Sequence, residues 1–251
     1  MKGSCARILT MVCLIAVGFK ASAAAEPTII AKARARLAPD AVLDAVKSLH
    51  YTGIIVGPDS TEPTKQLQQT IDIFLRKPAQ QRIVVTSPTL IEVSALDDYE
   101  AWRRTIDAHN PARWQQAQLS VEQVKQLRAD VWQNLAFFRG IELVRGRVED
   151  QGPEVIDGIP CEKIAFYHSD SLVYFRYFNQ ATGQLVYTGT PENNVREEGE
   201  MIAGGIRFPK VLVMSQTIDR VTAVRRLTFE KITVNEDLPD RLFSVPLPTM
   251  K

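Results

Sequence analysis

The side chains best suited to chemistry in this chain are few and scattered. His50, His109 and His168 are its only histidines, and none has a second ligand type three or four residues on. A helix-borne metal pair needs that spacing, so no metal site is expected. His168-Ser169-Asp170 holds the residue types of a hydrolytic triad. Adjacent residues cannot form one, because a triad assembles from distant positions. A polar hairpin tip is the simpler expectation. Cys161 follows Pro160 and has no evident histidine partner, so it reads as a small buried apolar residue rather than a nucleophile. The acidic pairs Asp97-Asp98, Glu197-Glu198 and Glu236-Asp237 fall in expected turns. Paired carboxylates can do acid–base work, but turns carry acids for ordinary solvation reasons. G-x-S-x-G, G-x-G-x-x-G, H-E-x-x-H and a phosphate-cradling glycine loop are all missing. No catalytic residue, cofactor or metal is therefore expected. Arg103-Arg104, Arg145, Arg147 and Arg225-Arg226 read as solvated strand faces. Trp102, Trp114 and Trp132 suit a core or a pocket lining.

The order of residues at the N-terminus says where such a chain works. Lys2 and Arg7 precede an almost wholly apolar run from Ile8 to Phe19, and Ala21-Ser22-Ala23-Ala24-Ala25 follows. Charge, a short apolar core and small residues form an export signal, expected to be cleaved near Ala25. The apolar run is shorter than the ~20 residues that span a bilayer. Cys5 and Cys13 are not placed to be lipidated. Periplasmic localisation is the expectation that follows, with residues 26–251 forming one domain that acts as a monomer. Losing Lys2, Arg7 and Lys20 takes the 30 basic residues to 27 against 29 acidic, a net charge near −2. That argues against nucleic acid as a partner, which needs a basic footprint. Cys161 is left as the lone thiol, so the fold must rest on its apolar core.

The elements follow from periodicity. Pro39 and Asp40 suit the first turn of a short helix carrying Leu43, Val46 and Leu49. A strand from Tyr51 to Val56 comes next. The clearest strand follows: Leu67, Ile71, Ile73 and Leu75 alternate with Gln68, Thr70, Asp72 and Arg76, which puts the first set on one face of a sheet. Lys77-Pro78-Ala79-Gln80 turns the chain into strands over 82–86, 90–96 and 99–106. Asn110 before Pro111 predicts a helix start. Ser120-Val121-Glu122-Gln123 predicts a second, of capping-box form. Val121, Val124, Leu127, Val131 and Leu135 then stripe one helix face as far as Phe138. Strands over 161–167, 172–178, 184–190, 206–208, 211–217 and 222–234 complete the pattern, with a hairpin turn at Asn179–Gly183. Strand groups around a helical insertion give an α+β fold: one strongly curved antiparallel sheet, an incomplete barrel, under a helical lid.

Two stretches carry a family resemblance. Ile71-Asp72-Ile73-Phe74-Leu75-Arg76-Lys77-Pro78 with Arg82, and Val93-Ser94-Ala95-Leu96-Asp97-Asp98-Tyr99-Glu100-Ala101-Trp102, follow the order of the LolA/LolB-type periplasmic lipoprotein carriers and the wider outer-membrane lipoprotein-sorting group. The hairpin Tyr177–Gly183 and the tail Asp240–Pro246 resemble the same group. The resemblance implies a half-barrel that holds acyl chains of a lipid or lipidated protein, passed from an inner-membrane donor or to an outer-membrane acceptor protein. Leu67, Ile71, Ile73 and Leu75 would then form the cleft floor. Val124, Leu127, Val131, Leu135 and Phe138 would face it from the lid, and Trp102 would sit in either place. In the carriers an arginine directly before the proline holds the lid shut. Here Lys77 stands there, offering a point charge in place of a planar fork of donors. The alternative is an envelope-stress sensor or protein-interaction module on the same fold.

Overall fold

A computed structural model of the chain describes residues 26–246 except 60, 61, 63, 191, 192, 219 and 220; at 218 and 221 only the backbone is described. The export segment expected over residues 1–25 lies outside the described residues.

Helices α1 (Thr28–Leu37) and α2 (Asp40–Asp44) open the fold. Six strands follow: β1 (Ser48–Pro58), β2 (Gln66–Arg76), β3 (Gln80–Thr86), β4 (Leu90–Asp97), β5 (Glu100–Asp107) and β6 (Trp114–Gln118). Helix α3 (Val121–Leu135) and a short 3₁₀ turn over Ile141–Val144 lead to β7 (Arg147–Ile156), β8 (Ile159–Ser169), β9 (Leu172–Asn179), β10 (Leu185–Gly189) and β11 (Asn194–Glu198). The hairpin β12 (Met201–Ala203) and β13 (Ile206–Phe208) stands apart, and β14 (Val211–Ile218) and β15 (Val221–Val234) end the sheet.

Thirteen strands form one antiparallel sheet in the order β6-β5-β4-β3-β2-β1-β15-β14-β11-β10-β9-β8-β7. The first strand pairs with the last, so the two halves of the chain make two wings joined at β1 and β15. The sheet curves but does not close into a barrel. Its free edges are β6 and β7, and these are consecutive in sequence. The connection between them must cross from one edge to the other. It does so as α3, which packs on β2, β3 and β4. The lid is thus a consequence of topology.

Period-two alternation sorts the strand residues between the two faces. Tyr51, Ile71, Leu75, Leu227 and Phe229 point to the concave side and pack with Val124, Val131 and Leu135 of the lid. Under α1 a second cluster joins Ile30 and Ala33 to Phe166, Tyr174 and Phe178. A third lies on the convex face, where Val93, Ala95 and Trp102 meet Val245 of the tail. Where β1 crosses β15 closely, Gly53 is required: a Cβ there would stand 2.4 Å from the Thr228 carbonyl oxygen. The ladder shifts register at the same point.

Three local expectations are corrected. The helix at Asn110-Pro111 is absent. Asn110 makes a turn, its carbonyl accepting from Arg113 N at 2.8 Å, and β6 then pairs with β5. The helical spacing seen at Leu43, Val46 and Leu49 spans two elements, since Leu49 belongs to β1. Glu197 and Glu198 lie in β11 rather than in a turn.

Candidate functional site

Helix α3 starts where the sequence placed it. The Ser120 hydroxyl oxygen accepts from Gln123 N at 3.3 Å, and the Gln123 side chain accepts from Ser120 N at 2.9 Å. The reciprocal pair satisfies two orphan donors of the first turn. The helix is then fastened along its length. Arg128 pairs with Asp98 in the β4–β5 turn. The Tyr174 hydroxyl on β9 donates to Asp130 at 2.6 Å. The carbonyl of Gln133 accepts from Arg176 Nη2 at 3.1 Å, and the Gln133 side chain meets His168 Nε2 at 2.8 Å.

The lid's end is unusual. Phe137 and Phe138 both have left-handed backbones, with φ of 48° and 73°. Such a conformation costs a non-glycine residue roughly 1–2 kcal/mol. Arg34 of α1, with 1% of its side chain exposed, holds this turn. Its Nη1 donates to the carbonyls of Phe137 at 3.0 Å and Ala136 at 3.3 Å. Its Nε and Nη2 donate to Asp40 and Asp44 of α2, both at 2.8 Å. One guanidinium thereby satisfies the Phe137 carbonyl, adds a second donor to the Ala136 carbonyl that already accepts from Arg139 N at 3.2 Å, and ties three helices together.

Between lid, α1 and the concave sheet lies a cavity of about 410 Å³. Its floor is Tyr51, Ile55, Ile71, Ile73, Leu75 and Ile83; Leu212, Met214, Leu227 and Phe229 form the next wall, and Leu37, Phe137 and Phe138 cover it. Its half-exposed edge carries Arg36 and Arg207, both paired with Glu200. Ligand sites commonly measure ~300–1,000 Å³ with mostly apolar walls and a few placed polar groups. Its polar lining includes the buried Gln81, Gln133 and Arg176, with Glu197 beside them. Arg176 is 7% exposed, with its guanidinium over the Phe138 ring at 4.7 Å and the Phe166 ring at 5.5 Å. Burial lowers its pKa from the usual arginine value to about 10. Burial raises the Glu197 carboxyl to about 7, with nearby Arg176 opposing the shift. His168, beside Gln133, is pushed down to about 4 by burial and by the charge of Arg176. Glu197 is part-exposed and lines the cavity. Burial first, and then the nearby Glu197 charge, raise the Tyr51 phenol.

The sequence-derived residues divide by place. Ile71, Ile73, Leu75 and Phe138 line the cavity. Leu67 lies on the same strand but outside it. Val124, Leu127, Val131 and Leu135 press the helix onto the sheet within the main core cluster; the lid residues that reach the cavity are Asp130, Gln133, Asn134, Phe137 and Phe138. Trp102 is on the convex face, its indole N–H donating to the Phe243 carbonyl at 3.0 Å. Lys77 sits in an exposed turn, and its backbone N–H donates to the Lys47 carbonyl at 2.9 Å. Cys161 is fully buried, and burial raises its thiol pKa. Arg34, Arg176 and Glu197 were missed. A signal existed for Arg176: in β9 it shares the face of Tyr174 and Phe178, a charge where alternation places core residues.

No family model and no curated protein matches the sequence. Solved structures do match in fold. A LolA superfamily protein from Nitrosomonas europaea superposes with a TM-score of 0.58 at 16% identity, over 87% of this chain and 96% of that one. A DUF1329 family protein from Desulfovibrio piger gives 0.54 at 9% identity, over 86% and 96%. An outer membrane lipoprotein-sorting protein domain from Vibrio parahaemolyticus gives 0.52 at 7%, over 85% and 95%. The fold of this chain, an open curved antiparallel sheet under a helical lid, is therefore LolA-like. Among the described residues no helix is long and apolar enough to cross a membrane.

Proposed function

We propose that this protein is an exported, non-catalytic carrier that shelters an acyl chain of a lipid or lipidated protein in the cavity beneath α3. One observation carries the reading: the concave face of a LolA-like sheet and its lid enclose apolar space of about 410 Å³ instead of filling it with side chains. Each acyl CH₂ moved from water into such a space contributes about 0.8 kcal/mol, so ten of them give roughly 8 kcal/mol before ordering costs. That is enough to compete for a chain partly withdrawn from a bilayer. The reading places the chain in the periplasm, with residues 1–25 removed and 26–251 acting as one domain between a membrane donor and an acceptor.

Native mass spectra of the exported protein, before and after solvent extraction, test it. Lipid-sized adducts should appear first, vanish on extraction, and give way to uptake of a fluorescent fatty acid. Ile73→Trp, which fills the cavity from β2, should fold and abolish uptake. A folded protein with neither adducts nor uptake sinks the carrier reading.

A further inference from the structure

Arg176 is a buried cation with most of its hydrogen-bonding capacity unused. Among the described residues its Nε and Nη1 find no hydrogen-bond partner, and Nη2 makes one bond, to the Gln133 carbonyl. A guanidinium carries five N–H donors, and a buried charge is costly unless paired and hydrogen-bonded. Glu197, one of the acids that line the cavity, acts on Arg176 through its charge, but among the described residues no salt bridge within 4 Å joins the two. Gln133 Oε1 is also buried and unpartnered. These unsatisfied groups collect on one wall of the same cavity. Arg176 is on β9, whereas Ile71, Ile73 and Leu75 are on β2, with five strands between them. One end of the cavity is thus cationic and rigidly held by the Phe138 and Phe166 rings, and the other is apolar.

We propose that Arg176 anchors the head group of an acidic amphiphile, taking one anionic oxygen of a carboxylate or phosphodiester whose single acyl chain lies along Ile71, Ile73 and Phe229. This rests on the carrier reading and narrows it to a ligand class. A head with one negative charge neutralises the guanidinium. The Gln133 Oε1 acceptor sits where a protonated or hydroxylated part of the head would donate. The volume, near the lower end of the range for ligand sites, suits one chain. Arginine fits this task because its donors are fixed in a plane and its charge persists at any physiological pH.

The test is displacement of N-phenyl-1-naphthylamine, a neutral apolar fluorophore, from the lipid-stripped protein. Competitors are oleate, methyl oleate and lysophosphatidylglycerol, each below its micellar concentration. Oleate should displace the probe at a concentration about tenfold or more below methyl oleate. Arg176→Met, which keeps most of the stem's packing, should bring the two within about twofold by weakening oleate alone. Lysophosphatidylglycerol matching oleate assigns the site to any monoanionic head; its failure restricts the site to carboxylates. Equal displacement by oleate and methyl oleate in the unsubstituted protein overturns the head-group assignment while leaving chain binding intact, and needs no variant. Undiminished preference for oleate in folded Arg176→Met overturns it as well. If the probe and every competitor fail to bind, the carrier reading itself falls.

Discussion

Arg34 donates through Nη1 to the Phe137 carbonyl at 3.0 Å, so the first helix holds the last turn of the lid. The contact joins residues 103 positions apart and caps a helix end that has no glycine to close it. Losing it should loosen the lid where the cavity is covered. Arg34→Met is expected to lower stability by about 2 kcal/mol, chiefly because the buried Phe137 carbonyl loses its donor; the Ala136 carbonyl keeps Arg139 N, and Asp40 and Asp44 are exposed enough to regain water. For a chain of this size that is roughly 4–8 °C in Tm. Hydrogen exchange should quicken at residues 136–139 more than elsewhere. Unchanged exchange there would show that the turn is held by other contacts.

The left-handed turn makes a second, sharper expectation. Phe138 packs edge-on to Phe178 at 5.0 Å, and truncating a buried phenylalanine costs about 3–5 kcal/mol. Both Phe138→Ala and Phe138→Gly should therefore destabilise. Glycine normally does so more, yet at φ 73° it accepts the backbone freely and alanine does not. Phe138→Gly should be the more stable of the two by about 1 kcal/mol in urea unfolding. The reverse order would mean that the turn relaxes once the ring is gone.

Much of this architecture was legible in the sequence, and the gaps have physical causes. The alternation of β2 and the capping box of α3 were readable because each is a local signal that tertiary structure reinforces. Helix α1 was not read, although Ile29, Ile30, Ala33 and Leu37 repeat at helical spacing. It begins only a few residues after the stretch expected to be an export signal, where a short pattern is easily assigned to a linker. Asn110-Pro111 misled because the same side chain caps a helix or closes a turn: here its Oδ1 accepts from Ala112 N at 3.3 Å, and pairing with β5 decides the rest. The helix stripe located the lid but not the cavity. The apolar stripe packs the helix down, and residues a fraction of a turn away look into the hollow. Arg34 could not be assigned from spacing, since its role depends on the lid returning across the sheet.

Trp102 offers a control on that assignment of faces. It is 1% exposed on the convex side, with guanidinium groups of Arg82 and Arg104 over its ring at 5.7 and 5.8 Å. Trp102→Leu should cost about 2–4 kcal/mol, since a large aromatic contact and its bond to Phe243 are lost. Uptake of a fluorescent fatty acid at a temperature where the variant is folded should be unchanged. Impaired uptake by folded Trp102→Leu would mean that the two faces are coupled through the sheet.

Glu197 should give the chain a pH dependence of definite sign. Its carboxyl is raised from 4.5 to about 7 by burial, so between those values the folded state holds a proton that the unfolded state has released. Its contribution to stability is full below about pH 4.5 and is lost as pH rises through 7. His168, lowered from 6.5 to about 4, acts oppositely: its contribution is full above about pH 6.5 and is lost as pH falls toward 4. Their effects overlap, so the wild-type profile alone does not separate them. The other charged groups at the cavity are Arg176 on β9, Asp130 on α3, Arg36 on α1, Glu200 just before β12 and Arg207 in β13. Glu197→Gln isolates the carboxyl because it removes the titration and keeps the shape. Its Tm should match the wild type at about pH 4 and below, where the carboxyl is largely protonated in the folded and unfolded states alike. Near pH 8 it should exceed the wild type by roughly 2–8 °C, for a shift discounted to about 1–2 kcal/mol because the group faces an open cavity. A difference in Tm that stays constant from pH 5 to pH 8 would show that Glu197 is ionised throughout, and that Arg176 already has its counter-ion.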